Sequence, residues 1–123
     1  MTLQELIREH NVRATSEYGA PENPEFKNSH PYTVTLKYQR RQMTVPFYMG
    51  YAHTNEPAAE DVLECLLSDS DVENYEFEEW AANLGYDSDS RRAERIYTQS
   101  QRQTKRLRTF LGNDFDLFLY ADR

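Results

Sequence analysis

Residues 32–48 read YTVTLKYQRRQMTVPFY, and this stretch decides the fold class. Apolar and polar residues alternate on both sides of a polar turn at 39–42, which is the pattern of strands that bury one face. The alternating apolar positions are Tyr32, Val34, Leu36 and Tyr38 before the turn and Met43, Val45 and Phe47 after it. Pro46 cannot donate a ladder hydrogen bond, so the second strand lies at a sheet edge or contains a bulge. The sequence therefore predicts an antiparallel β-hairpin over 32–49.

Upstream of the hairpin, the sequence predicts a short helix and then a long irregular loop. Thr2 and Glu5 have the spacing of a capping box, which marks the start of a helix. Residues 14–31 contain three prolines together with Gly19 and two asparagines. Because these residues favour turns and interrupt regular structure, we expect an irregular loop over 14–31.

Downstream, residues 57–111 have helical periodicity. Phe77, Trp80, Ala81 and Leu84 fall on one helical face, and Gly85 ends that helix. Ser88 or Ser90 caps the longest helix, which runs to about Leu111. Its apolar stripe is Ala93, Ile96, Tyr97, Ser100, Thr104, Leu107, Phe110 and Leu111. The expected fold is α+β: an antiparallel hairpin or small sheet packed against three to four helices, in a single domain over 1–123.

Composition limits the compartment and the partners. The 123 residues carry a net charge of -7, which repels nucleic acid and anionic membranes unless the basic residues are grouped. No apolar run approaches the roughly 20 residues of a membrane span. The N-terminus has Glu5 where a signal peptide needs a basic and then apolar run, and a lone Cys65 forms no internal disulfide. We therefore expect a cytoplasmic protein without a membrane partner.

The charges fall into two opposite blocks. Between Arg41 and Arg91 there are twelve acidic residues and no Lys or Arg, whereas residues 91–108 hold seven basic residues and one acid. One interpretation is that the blocks pair with each other on the surface. A second is that uncovered carboxylates bind a basic groove of another protein. The candidate residues for this are Asp69, Asp71, Glu73, Glu76, Glu78 and Glu79.

A third interpretation uses the basic block itself. An arginine-rich helix can contact phosphates, although its acidic neighbour repels the same nucleic acid. The candidate phosphate-binding residues are Arg91, Arg92, Arg95, Arg102, Lys105 and Arg106. We expect direct nucleic-acid binding to be weak.

No pattern of catalytic or metal-binding residues is present. The sequence lacks the glycine-rich phosphate loops, the zinc-protease motif and the nucleophile elbow. Cys65 lies among apolar residues, which favours a buried thiol over a nucleophile. His10, His30 and His53 are scattered along the chain, which argues against a metal site. We therefore expect a protein that is not an enzyme, with no catalytic residue, no metal and no cofactor.

Three segments carry a resemblance: 77–80 (FEEW), 84–91 (LGYDSDSR) and 93–97 (AERIY). Together with 61–66 and the hairpin, they resemble a family of small hypothetical proteins encoded by bacteriophages and prophages. The resemblance covers most of the chain and implies a phage accessory protein that works in the bacterial cytoplasm. In size and charge the chain also resembles anti-CRISPR inhibitors.

The predicted function is an acidic binding protein that inhibits a host nucleic-acid-processing defence complex, with an anti-CRISPR protein as the named candidate. Its partner would be a host protein or ribonucleoprotein with a basic groove. The alternative is a nucleic-acid-binding accessory or regulatory protein that uses the helix over 91–108.

Overall fold

The computed structural model of the chain describes residues 1–18, 30–49 and 57–123. These residues form a three-stranded antiparallel sheet, four helices of seven residues or more and a shorter fifth helix. In chain order the elements are α1 (Leu3–Glu9), β1 (Arg13–Tyr18), β2 (His30–Tyr38), β3 (Arg41–Met49), α2 (Ala59–Asp69), α3 (Phe77–Asn83), α4 (Arg91–Leu111) and α5 (Phe115–Leu119). Two 3-10 segments, Ser70–Asn74 and Gly112–Asp114, precede α3 and α5. The predicted α+β class is confirmed.

The hairpin forms where the alternating pattern predicts it. β2 pairs with β3 in a register that sets Val34 opposite Val45 and Leu36 opposite Met43. The side chains of these four residues are buried. The sheet order β1-β2-β3 makes β3 an edge strand, so Pro46 is tolerated there as expected.

The expected irregular loop over 14–31 is wrong at both of its ends. Arg13–Tyr18 forms β1, and β2 already begins at His30. The segment RATSEY contains no proline, and every residue of it pairs with a residue of β2. Its half-buried Ala14 and Ser16 alternate with exposed residues, so β1 has the period of a strand. The rest of the predicted loop, 19–29, lies outside the described residues.

Backbone contacts divide the chain into two compact units. The first unit comprises Met1–Glu64 with Tyr120–Arg123, and the second comprises Cys65–Leu119. The C-terminal residues join the first unit because Thr2 and Asp122 form a parallel bridge. The boundary falls inside α2. The single-domain organisation over 1–123 stays a prediction.

Helix α1 begins with the predicted cap. The Thr2 hydroxyl accepts a hydrogen bond from the Glu5 amide at 3.1 Å, which satisfies one of the unpaired amides of the first turn. Leu3 and Leu6 are buried on one side of the helix, and His10 caps its C-terminus.

Helix α2 corrects the expectation for Cys65. Val62, Leu63, Leu66 and Leu67 are buried, and they occupy one face at i, i+1, i+4 and i+5. Cys65 falls between these positions on the opposite face, and it is exposed. A buried thiol was therefore the wrong prediction, because the helical phase of α2 turns Cys65 away from the apolar stripe.

Within the second unit, α4 packs against the Ser70–Asn74 segment and α3. Ser90 caps α4 through the Ala93 amide, and Gly112 ends it with a φ of 59°. Ala93, Thr104, Leu107, Phe110 and Leu111 are buried along the predicted stripe. After α4 the chain forms α5, in which Phe115 and Phe118 are buried.

Candidate binding surfaces

Helix α3 presents three carboxylates outward because its other side is apolar. Trp80 and Ala81 are buried in a cluster with Val72 and Ala93, which fixes the rotation of the helix. Glu76 stands at the N-cap, and Glu78 and Glu79 lie in the first turn. All three are exposed, and none of their carboxylates pairs with a residue in the part of the chain that the structure describes. We call Glu76, Glu78 and Glu79 the acidic surface.

Four aromatic rings hold α3 in place. The Trp80 ring centroid lies 5.2 Å from that of Tyr97, and the Phe77 centroid lies 5.4 Å from Tyr97. The Tyr97 hydroxyl donates a hydrogen bond to the Tyr75 carbonyl at 2.8 Å. Tyr86 stacks on Trp80 at 5.6 Å with an interplanar angle of 15°. The acidic surface is therefore carried by a helix whose inner side is packed by aromatic rings.

The chain leaves α3 through a corner that two backbone hydrogen bonds define. The Gly85 amide donates to the Ala82 carbonyl at 3.2 Å, and the Tyr86 amide donates to the Ala81 carbonyl at 2.8 Å. This is a Schellman motif, and it requires the positive φ of 77° that Gly85 adopts. Leu84, which we expected on the apolar stripe, is 60% exposed. Leu84 is the C-cap residue, and its amide still donates to the Trp80 carbonyl, so the chain turns only after it, at Gly85.

Glu73 behaves differently from the acidic surface, because it pairs with the basic helix. The Arg108 Nε lies 2.9 Å from Oε1 and 3.1 Å from Oε2 of Glu73. The Arg108 guanidinium also lies over the Phe115 ring, 4.1 Å from its centroid. Part of the charge layout is therefore satisfied inside the unit, as the pairing interpretation predicted.

The two aspartates of the candidate set lie where α2 meets the following 3-10 segment. Asp71 Oδ1 accepts a hydrogen bond from the side-chain amide Nδ2 of Asn74 at 2.8 Å, so its carboxylate stabilises the local turn. Asp69 is the last residue of α2. Although the residue as a whole is exposed, partial burial of its carboxyl raises the pKa of Asp69 above the ordinary value of 3.8.

Helix α4 gathers the six candidate phosphate-binding residues on one face. At 3.6 residues per turn they fall within an arc of about 140°, opposite Ala93, Thr104 and Leu107. All six are exposed, and Glu94 is the only acid on the helix. From Arg91 to Arg106 the row extends about 22 Å at 1.5 Å per residue. We call this row of Arg91, Arg92, Arg95, Arg102, Lys105 and Arg106 the basic face.

Among the described residues, no group of three or more His, Cys, Asp or Glu side chains could hold a metal ion. No helix in this part of the chain has both the length and the apolar character that a membrane span requires. His10 is half-buried, and its ring lies 6.1 Å from that of Tyr38. His30 belongs to β2, and His53 lies outside the described residues.

Sequence reasoning missed two features of these surfaces. Arg108 was not expected to pair with Glu73, since the two residues are 35 positions apart and no local pattern connects them. The exposure of Leu84 beside the exposed Tyr86 was also missed, although the Gly85 stop signal marks the place where the stripe should end.

Comparisons with protein-family models, with curated proteins and with solved structures find no match. A functional proposal consequently depends on the residues and geometry of the two charged surfaces.

Proposed function

We propose that the chain is a phage-encoded acidic binding protein, not an enzyme, that inhibits a nucleic-acid-processing defence complex of its bacterial host. An anti-CRISPR protein is the named candidate. In this proposal the acidic surface occupies a basic groove of the host protein in the bacterial cytoplasm and excludes the nucleic acid that the groove normally binds.

One observation carries the proposal: Glu76, Glu78 and Glu79 are exposed and unpaired within the described residues, on a helix that aromatic packing holds in place. Glu73 is already neutralised by Arg108, so the pairing interpretation accounts for that residue and not for these three. Carboxylates held on a packed helix lose less conformational freedom on binding than carboxylates on a loose segment.

The physical basis is electrostatic competition. A groove that binds phosphates has a positive potential, and it attracts a cluster of exposed negative charges. The chain as a whole carries a net charge of -7, so its long-range field also favours approach to such a groove. Added salt should weaken the complex, because exposed charges are screened over about 8 Å at physiological ionic strength.

The test compares two double variants that change the net charge by the same amount. Glu76→Lys/Glu79→Lys reverses charges on the acidic surface, and the matched control Glu9→Lys/Glu64→Lys reverses exposed charges in the first unit. Bacterial proteins retained by the wild-type chain are identified. The identified complex is then assayed for loading of its guide or target nucleic acid in the presence of each variant.

We expect the wild type and the control to block loading, and the Glu76→Lys/Glu79→Lys variant to lose the block. Circular dichroism should show that all three proteins are folded, because exposed charges contribute little to stability. If the Glu76→Lys/Glu79→Lys variant inhibits as well as the wild type, the acidic surface is only a solvated face and the proposal fails.

A further inference from the structure

We propose that the basic face of α4 is a second binding surface, and that its ligand is the phosphate backbone of double-stranded DNA. This inference goes beyond the acidic surface, and neither surface requires the other. It depends on the arrangement of one long helix, which is described over its whole length.

The geometry that carries the inference is a set of four cations along the exposed side of α4. Arg91, Arg95, Arg102 and Lys105 are exposed and make no ion pair within the described part of the chain. The axial steps from Arg91 to Arg95 and from Arg95 to Arg102 are about 6 Å and about 10 Å. Arginine and lysine side chains are long enough to adjust to phosphates along steps of this size.

The other residues of this face are also hydrogen-bond donors. Thr98 and Gln99 are exposed between the arginines, and their hydroxyl and amide groups can donate to phosphate oxygens. Glu94 is the only group on the helix that would repel a phosphate, and it lies at the margin of the row.

The basic face of α4 carries no aromatic side chain, which favours a duplex over a single strand as its ligand. Proteins that hold single strands stack the bases on aromatic rings. The two aromatic residues of α4, Tyr97 and Phe110, belong to the packed side of the helix. A face that offers cations and no stacking surface fits a ligand whose bases are already stacked on each other, which is a duplex.

The net charge of -7 weakens this binding without preventing it. At physiological ionic strength the field of distant carboxylates is screened over about 8 Å, whereas a phosphate in contact with the arginines is only about 3 Å away from them. Binding should therefore be weak at physiological salt, in the range of about 10⁻⁴ to 10⁻⁶ M that non-specific contacts give.

The experiment measures fluorescence anisotropy of a labelled duplex of about 20 base pairs while salt is raised from about 50 to 200 mM. Four forms of the full chain are compared: the wild type, the Glu76→Lys/Glu79→Lys variant and two triple variants. Arg91→Gln/Arg95→Gln/Arg102→Gln removes three cations from the basic face. The matched control, Arg8→Gln/Arg13→Gln/Lys37→Gln, removes three exposed cations from the first unit and leaves the same net charge.

For the wild type and the control we expect a slope of log affinity against log salt of about -3.6, which corresponds to four neutralised phosphates. The α4 variant should retain a slope of about -0.9 and bind at least about tenfold more weakly at the lowest salt. The Glu76→Lys/Glu79→Lys variant keeps the basic face, so it should bind DNA at least as tightly as the wild type. The acidic-surface proposal can therefore fail without changing the result of this DNA-binding experiment.

Three results would overturn the inference. The first is no binding of the wild type to the duplex at the lowest salt. The second is an α4 variant whose affinity for the duplex equals that of the control. The third is equal or tighter binding of a single-stranded oligonucleotide or of poly-glutamate, which would make the basic face a site for a single strand or for an acidic protein.

Discussion

Replacing Leu107 by alanine tests the packing on which both charged surfaces depend. Leu107 is 0% exposed, and it lies on α4 opposite the basic face. Truncation of a fully buried leucine removes its transfer free energy and leaves a cavity, which together cost about 2–5 kcal/mol. A loss of about 3 kcal/mol would lower the melting temperature by roughly 10 °C in a chain of this size.

The assay is urea denaturation followed by tryptophan fluorescence. Trp80 is the single tryptophan of the chain, and it lies in the same unit as Leu107, so its emission reports unfolding of that unit. Arg102→Ala is the matched control, since it lies on the same helix with its side chain exposed. That change should stay within about 0.5 kcal/mol of the wild type. If Leu107→Ala costs no more than the control, the rotation of α4 is wrong, and the basic face would not be exposed as described.

Two further predictions concern the candidate acids of the second unit. Glu73→Gln should lower the free energy of unfolding by only about 0.2–1 kcal/mol, because the pair with Arg108 is partly exposed. A loss above about 2 kcal/mol would contradict this, since it would make the pair a major contributor to stability. The raised pKa of Asp69 means that the folded chain holds this proton more tightly than the unfolded chain does, so Asp69 lowers stability as pH rises from 3.8 through its folded pKa. Urea denaturation of Asp69→Asn and the wild type measures this effect. As pH rises from about 3, the variant should become progressively more stable than the wild type, and the difference should then level off. A difference that shrinks with rising pH would contradict this sign.

The elements that the sequence predicted correctly are those whose signal is local. The hairpin follows from alternation within 32–48, and α4 follows from one stripe between the Ser90 cap and the Gly112 stop. In both, the periodicity of the chain itself identifies the buried face, so no knowledge of distant residues is needed.

The errors in the sequence predictions arise where contacts between distant residues, or the helical phase, determine the structure. Arg13–Tyr18 becomes a strand because β2 provides hydrogen-bond partners, and the pairing cannot be recognised from those six residues alone. Cys65 was assigned to the apolar stripe from its neighbours, but the buried residues Leu63 and Leu66 on either side already define a face that excludes it. The acidic surface was predicted as a charge block, whereas the packing of Trp80 decides which of its carboxylates point outward.

The separation of charges within the second unit has a consequence for how the two surfaces influence each other. Cys65–Leu119 contains eleven acidic and seven basic residues, and the Glu73–Arg108 pair neutralises one of each. Exposed charges add little to stability, so folding alone does not require this segregation, and its main effect is on the electric field around the unit. Because both surfaces belong to one unit, neutralising the acidic surface with a basic partner should reduce its repulsion of phosphates from the basic face. Binding at the two surfaces should consequently be mutually favourable at low salt, and this coupling should disappear as salt screens the charges.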